Sequence, residues 1–353
     1  MNFEKFMQTA LYCPGLGYYS RDIAKIGREG DFYTSPHLHP IFGAMLGRQV
    51  EEMWRFMGEP EFFHIVEMGA GMGYLAKDVL DYLKGMDIFR RITYRIVEPN
   101  PYFRLNQLQL LNEFGEKAIW HESPAELPPF AGCFLSNELL DAFPARLVEM
   151  EDELKEIYVS EDGDELVEIK MPCSGEVREY LNTFAPGLSK GYRTEVNLRI
   201  RGWLEDVSIK LIEGFILTVD YGYPAGDYYS EERNRGTLQC YYRHEVNEDP
   251  YSNIGEQDIT AHVNFSSLKT WGEGLGLKTV GFCPQGTYLV SLGIDEVIVE
   301  LHGKDPDPYE TAKIKGLILP QGMGESHKVM VQYKGYGLPL MRGFSYRNHA
   351  GRL

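Results

Sequence analysis

A chain of 353 residues, 43% apolar and 25% charged, has the make-up of an ordinary globular protein and the length for one large or two modest domains. Thirty-five basic residues against 52 acidic ones leave a net charge of −17, which argues against a surface built to track nucleic-acid phosphates. Five scattered cysteines without a CxxC pair read as reduced thiols, not as a disulfide framework or a zinc site. No apolar stretch is long enough to span a bilayer, and the N-terminus has no apolar core of secretory length, so a cytoplasmic protein is expected.

Periodicity predicts an opening helix from Phe3 to about Tyr12, with Phe3, Phe6, Met7 and Ala10 on one face and a stop at Pro14-Gly15. The loop GREGDFYTSPHLHP leads into a helix from about Ile41 to Met57. HIVEM then reads as a buried strand followed by the helix GYLAKDVLDYL, and TYRIVEP as a strand followed by the helix YFRLNQLQLLNEF. KAIWH and CFLSN are two further strands. Strands alternating with helices imply right-handed crossovers and a mostly parallel, doubly wound α/β sheet. The rhythm breaks after Pro144, where Arg146 to Lys170 alternates in short apolar runs around an Asp-Gly turn, the mark of an inserted β-meander. A helix near Glu195 to Ile212 and the strand FILTVD resume the sheet domain. The tail supplies a helix around Thr260 to Leu275, the strand LKTVGF and a last strand, KVMVQY, expected antiparallel at the sheet edge. The expected organisation is an N-terminal helix and loop over 1–40, a sheet domain over 41–144 and 195–340, a β-rich insertion over 145–194, and a tail over 341–353.

The sharpest local signal is Glu67-Met68-Gly69-Ala70-Gly71-Met72-Gly73, between a buried strand and a helix. Glycines at alternate positions permit a tight bend and let a ligand approach where a Cβ would collide, and the helix N-terminus adds free N–H groups. A dinucleotide fingerprint can be framed on Gly71, Gly73 and Ala76, so spacing alone leaves a nicotinamide cofactor open. Charge favours S-adenosylmethionine, because Glu67 suits a sulfonium and an ammonium better than a pyrophosphate. Glu98, closing the TYRIVEP strand, can accept both hydroxyls of an adenosine ribose, a feature both cofactors use. Ser123, with Pro124 after the third strand, offers an edge for the adenine, and Asn137 a hydrogen bond to the amino-acid end.

The segments GDFYTSPHLHPIFG, IVEMGAGMGYLAKDVL, SNELLDAFP, VDYGYP, GTLQCYYRHEVNEDPY and IGEQDITAHVNF together resemble the MidA-like family of class I S-adenosylmethionine-dependent methyltransferases. The resemblance runs from about Phe3 to Gly335. It implies a seven-stranded, Rossmann-like methyltransferase sheet with the cofactor over the C-terminal strand ends. It also implies an arginine side chain on a respiratory complex I-type subunit as acceptor, and places the loop of Thr34, Ser35 and Pro36 over the cofactor.

Methyl transfer from a sulfonium is an in-line displacement, so the protein mainly positions the acceptor and excludes water. A guanidinium has no good lone pair, and carboxylates beside it can pin its charge on two nitrogens and leave the third to attack. Glu138 and Asp141, three apart after the fourth strand, would share a face on one helical turn and are the first candidates. The bland alternative is a helix N-terminus stabilised by acidic residues. Glu256 and Asp258 form a second candidate pair, near Tyr221, Tyr223, Tyr241, Tyr242 and Tyr251, whose faces can hold a guanidinium. Asp258 reads equally as a helix N-cap. His37-x-His39 lacks companion ligands nearby, and no metal is expected. A protein substrate is the expected partner, nucleic acid and a membrane span are not, and a homodimer is left open. The rival readings are a small-molecule O- or N-methyltransferase, a nicotinamide-dependent oxidoreductase and a non-catalytic assembly chaperone.

Overall fold

The computed structural model describes residues 1–21, 35–303 and 307–353. The chain divides into two compact units. The larger comprises Tyr33–Leu139, Leu204–Tyr221 and Lys269–Leu353, and the smaller Met1–Phe32, Leu140–Trp203 and Gly222–Leu268.

The larger unit is built on a sheet whose main strands are β1 (Phe63–Met68), β2 (Ile92–Val97), β3 (Ala118–His121), β4 (Phe130–Asn137), β5 (Leu211–Tyr223), β6 (Lys278–Pro284) and β7 (His327–Lys334). Their spatial order is β6-β7-β5-β4-β1-β2-β3. β1 runs parallel to β2 and β4, β3 parallel to β2, and β5 parallel to β4, while β7 is antiparallel to both β5 and β6. This is the expected doubly wound sheet, with one difference. The last strand is antiparallel, but it lies between β5 and β6 and not at the edge. Its near-continuous burial, seven of eight residues, explains the placement, since an edge strand would leave those side chains exposed. The helices Ile41–Phe56 and Tyr74–Leu83 bury Met45, Val50, Leu75 and Val79 in one core with Ile65, Ile96, Leu135, Leu217 and Val329.

In the smaller unit the Phe3–Tyr12 helix starts on an Asn2 cap, whose side chain accepts from the Lys5 N–H at 2.9 Å. Its apolar face, Phe3, Phe6, Met7, Ala10 and Leu11, packs on Leu147, Ile157, Cys240 and Ile259. Arg146–Met150, Leu154–Asp162 and Glu165–Pro172 form the predicted meander, and Arg193–Val196 adds a fourth antiparallel strand. The Glu195 carboxylate is buried there and accepts from the N–H groups of Thr237 and Leu238, a polar staple across 42 residues of chain. Two boundaries differ from expectation. The helix placed at Thr260 begins at Phe265, because Asp258–Thr260 and Val263–Asn264 are strands, and the helix placed at Glu195 begins at Arg199.

Candidate functional site

β1 delivers Glu67 and Met68 to a chain reversal that opens the Tyr74–Leu83 helix. Gly69, Gly71 and Gly73 all lie in the left-handed region, at φ of 74°, 53° and 86°. The Gly73 N–H donates to the Ala70 carbonyl at 2.8 Å, closing the bend. A Cβ on Gly69 would lie 2.9 Å from Leu139 Cδ1, so the bend touches the chain leaving β4. Gly73 caps the helix without a side-chain hydrogen bond, which leaves first-turn N–H groups for a ligand.

Two buried carboxylates flank this bend. Glu67 accepts from the Tyr94 hydroxyl at 2.6 Å, and burial, with Glu98 adding to it, raises its pKa to about 7. Glu98 accepts from the Asn100 N–H at 2.9 Å and from Gln107 Nε2 at 3.3 Å, and burial also raises its pKa to about 7 against those bonds. Gln107 is fully buried and was not singled out by the sequence reading. Its Nε2 donates to the Gly71 carbonyl at 2.7 Å, and its Oε1 accepts from Trp120 Nε1 at 3.0 Å. One amide thus ties the glycine bend, Glu98 and β3 together. The available signal was positional, since Gln107 stands four residues after Phe103 on the buried side of the Pro101–Leu110 helix. Gln107→Leu fills similar volume without the amide and is expected to weaken S-adenosylmethionine binding about tenfold with a small loss of stability, measured by calorimetry and thermal melting. Ser123, half-buried, follows β3 and precedes the Pro124–Glu126 turn.

β4 ends at Asn137, and Glu138 follows with φ 48°, an uncommon conformation for a residue with a side chain. The surroundings hold it there: the Glu138 N–H donates to the Val219 carbonyl at 2.8 Å, and the next N–H, of Leu139, donates to Asp220 Oδ2 at 3.2 Å. Three groups converge on Glu138 Oε1, namely the Ser35 N–H at 3.3 Å, Asn137 Nδ2 at 3.2 Å and His327 Nε2 at 3.5 Å. Its Oε2 has no hydrogen-bond partner among the described residues, and neither has the buried Asn137 Oδ1. Ser35 is fully buried and donates through Oγ to Gln285 Oε1 at 3.2 Å, with Pro36 in the short helix it begins. Thr34 lies outside the described residues. His37 packs edge-on against Tyr74 at 4.9 Å and its pKa is lowered by burial, whereas His39 Nε2 pairs with Glu310 at 2.8 Å, so the two histidines serve different neighbours.

The remaining carboxylate candidates fall in the smaller unit. Residues 138–143 form bends and a turn, so the helical face expected to unite Glu138 with Asp141 does not exist. The left-handed Glu138 backbone is the physical reason, because a right-handed helix cannot pass through it. Asp258 opens a strand, which corrects the N-cap alternative, and it accepts from the Tyr19 hydroxyl at 2.8 Å. Tyr19 stacks on Tyr12 at 5.5 Å, and burial followed by the Asp258 and Asp141 charges pushes both hydroxyls up. Glu256 is exposed and 3.5 Å from Arg21. The aromatic group is already engaged by the chain's own residues: Arg233 lies 3.8 Å over Tyr223, and Tyr251 donates to Glu168 at 2.7 Å.

The donor set can be tested against an adenosyl sulfonium. A bend of positive-φ glycines gives close approach, Glu98 keeps lone pairs for two ribose hydroxyls, and the orphaned Asn137 Oδ1 is an acceptor for an ammonium. When ionised, the two buried carboxylates beside the bend repel a pyrophosphate. The residues fit S-adenosylmethionine. Independently, residues 45–283 match the family model described as "Putative S-adenosyl-L-methionine-dependent methyltransferase". The chain belongs to this methyltransferase family. A protein from Burkholderia thailandensis, crystallised with S-adenosyl-homocysteine, is 31% identical with a TM-score of 0.91 over 100% of this chain and 92% of that one. The Drosophila melanogaster "Protein arginine methyltransferase NDUFAF7 homolog, mitochondrial" is 29% identical over 81% of this chain and 70% of its own length. The Homo sapiens NDUFAF7 protein is 27% identical over 91% and 77%. The enzyme is therefore an S-adenosylmethionine-dependent methyltransferase on a Rossmann-like fold. The cytoplasmic expectation is corrected by the same comparison, because these relatives are named as mitochondrial proteins. No helix among the described residues is long and apolar enough to cross a membrane.

The two raised carboxylates give the enzyme a testable pH dependence. Their folded pKa values of about 7 exceed the ordinary carboxylate value, so the stability they contribute is present at low pH and lost as pH rises through 7. A ligand that hydrogen-bonds or pairs with the ionised form has the opposite preference. Affinity for S-adenosylmethionine should rise about tenfold from about pH 6 to about pH 8 for each of the two carboxylates that must be ionised to bind it, with protons released on binding near neutrality. Calorimetry in buffers of different ionisation enthalpy checks both signs.

Proposed function

We propose that the methyl acceptor is an arginine side chain of a protein. The observation that carries the reading is Glu138, a carboxylate forced into a left-handed backbone, whose hydrogen bonds from the described residues, the Ser35 N–H and Asn137 Nδ2, both fall on Oε1 and none on Oε2. The relatives' names support the acceptor class. In this reading Gly69, Gly71 and Gly73 receive the cofactor's backbone-near face, Glu98 accepts the ribose hydroxyls, and Ser123 borders the adenine. Glu67 supplies negative charge beneath the bend, Asn137 takes the amino-acid end, and Ser35 and Pro36 close over it. The bound cofactor supplies an electrophilic methyl group on sulfur. Glu138 Oε2 accepts an N–H of the guanidinium, which localises positive charge away from the attacking nitrogen and fixes its line of approach. The new N–CH3 bond forms as the C–S pair returns to sulfur, and the substituted nitrogen sheds its proton to water or a neighbouring base.

The test is to incubate the enzyme with methyl-labelled S-adenosylmethionine and a protein extract, then hydrolyse the precipitated protein. Label recovered as methylarginine is expected. Label confined to small molecules, or to base-labile esters on protein, overturns the acceptor assignment.

A further inference from the structure

We infer that His327 is a positioning residue for methyl transfer, holding the Glu138 carboxylate in its working orientation. The inference rests on the reading of Glu138 as the group that orients the acceptor. Topology places His327 there. β7 runs against its neighbours, so its first residue lies where the parallel strands end, in register with Tyr221 near the end of β5. Glu138 follows the end of β4, the strand on the other side of β5. The imidazole is fully buried, with its ring centroid 4.0 Å from that of Tyr221. Nδ1 lies 3.2 Å from Ser326 Oγ. When the serine hydroxyl donates to Nδ1, the ring proton sits on Nε2, the nitrogen 3.5 Å from Glu138 Oε1.

That nitrogen has no hydrogen-bond partner in the described structure, and a buried ring nitrogen left so is costly. The gap to Glu138 is a few tenths of an ångström longer than a good hydrogen bond, and catalytic contacts of this kind often shorten only when the substrate is bound. Tightening it would fix Oε1 and aim Oε2 at the acceptor. His37 interacts with Glu138, Tyr221 packs on the imidazole, and Asp220 stands across the ladder from Lys328, the residue after His327.

The experiment compares His327→Ala and His327→Gln with the parent, using methyl-labelled S-adenosylmethionine at saturation and a protein extract as acceptor. The alanine variant should lose about tenfold in transfer rate. Cofactor affinity by calorimetry should be unchanged. Glutamine restores an amide N–H near the Nε2 position and should recover most of the rate. Equal losses in both variants would reduce His327 to a packing residue and overturn the inference. Parent-like transfer in His327→Ala while Glu138→Gln is slow sinks this inference alone. Parent-like transfer in Glu138→Gln sinks the reading beneath it.

Discussion

Gly71→Val is expected to weaken S-adenosylmethionine binding by about a hundredfold or more while leaving the chain folded. Gly71 has φ 53°, and its carbonyl is held by Gln107 Nε2 at 2.7 Å, so the backbone cannot rotate away without breaking the tie to Glu98. A left-handed residue with a Cβ costs about 1–2 kcal/mol, more for a β-branched one. Domain stabilities of about 5–15 kcal/mol absorb that, and the melting temperature should fall by only a few degrees. The binding loss has a separate origin. A branched side chain there adds bulk to a bend where the proposed cofactor must meet bare backbone. Calorimetry and a melting curve on the same sample separate the two effects. Unchanged affinity would defeat the idea that this bend receives the cofactor.

The bend was legible because everything it needs is local: a buried strand, three glycines at alternate positions and a helix with an apolar stripe. Glu98 was legible for the same reason, as the residue closing the next strand. What escaped depended on chain segments meeting at a distance. Gln107 looks like one polar residue among several in NQLQLL until the Gly71 carbonyl and Trp120 converge on it. His327 looks like a strand residue until the last strand is seen to slot in antiparallel beside β5. The β-rich segment after Pro144 was visible as a meander, but not that it shares a compact unit with the opening helix and with 222–268. The Glu138–Asp141 helix failed on a single dihedral. The segment SNELLD has ordinary helical residues, and only the hydrogen bonds to Val219 and Asp220 impose the left-handed bend that stops a helix.

Glu138→Gln is the substitution that tests the chemistry without disturbing the fold. The amide has the shape of the carboxylate, and its oxygen can still accept from the Ser35 N–H and Asn137 Nδ2 at the Oε1 position, with His327 Nε2 3.5 Å away. The left-handed backbone is set by the bonds of Glu138 N–H and Leu139 N–H to Val219 and Asp220, which the change does not touch. Stability and cofactor affinity should therefore stay near the parent values. At the position of Oε2, however, an N–H2 group would face the incoming guanidinium, and a donor facing a donor cannot localise the positive charge. Transfer should slow by at least about tenfold, or about 1.4 kcal/mol in the barrier, measured in single turnover with enzyme in excess. Swapping the amide end for end would not rescue it, because the Ser35 N–H and Asn137 Nδ2 donors at Oε1 would then meet an N–H2 group. Transfer at the parent rate would move the orienting role to Asp141, Glu256 and Asp258. Of these, Asp141 and Asp258 are both buried and Glu256 is the exposed one beside Arg21; Asp258 is already bonded to a tyrosine hydroxyl, so Asp258→Asn would be the next substitution to measure.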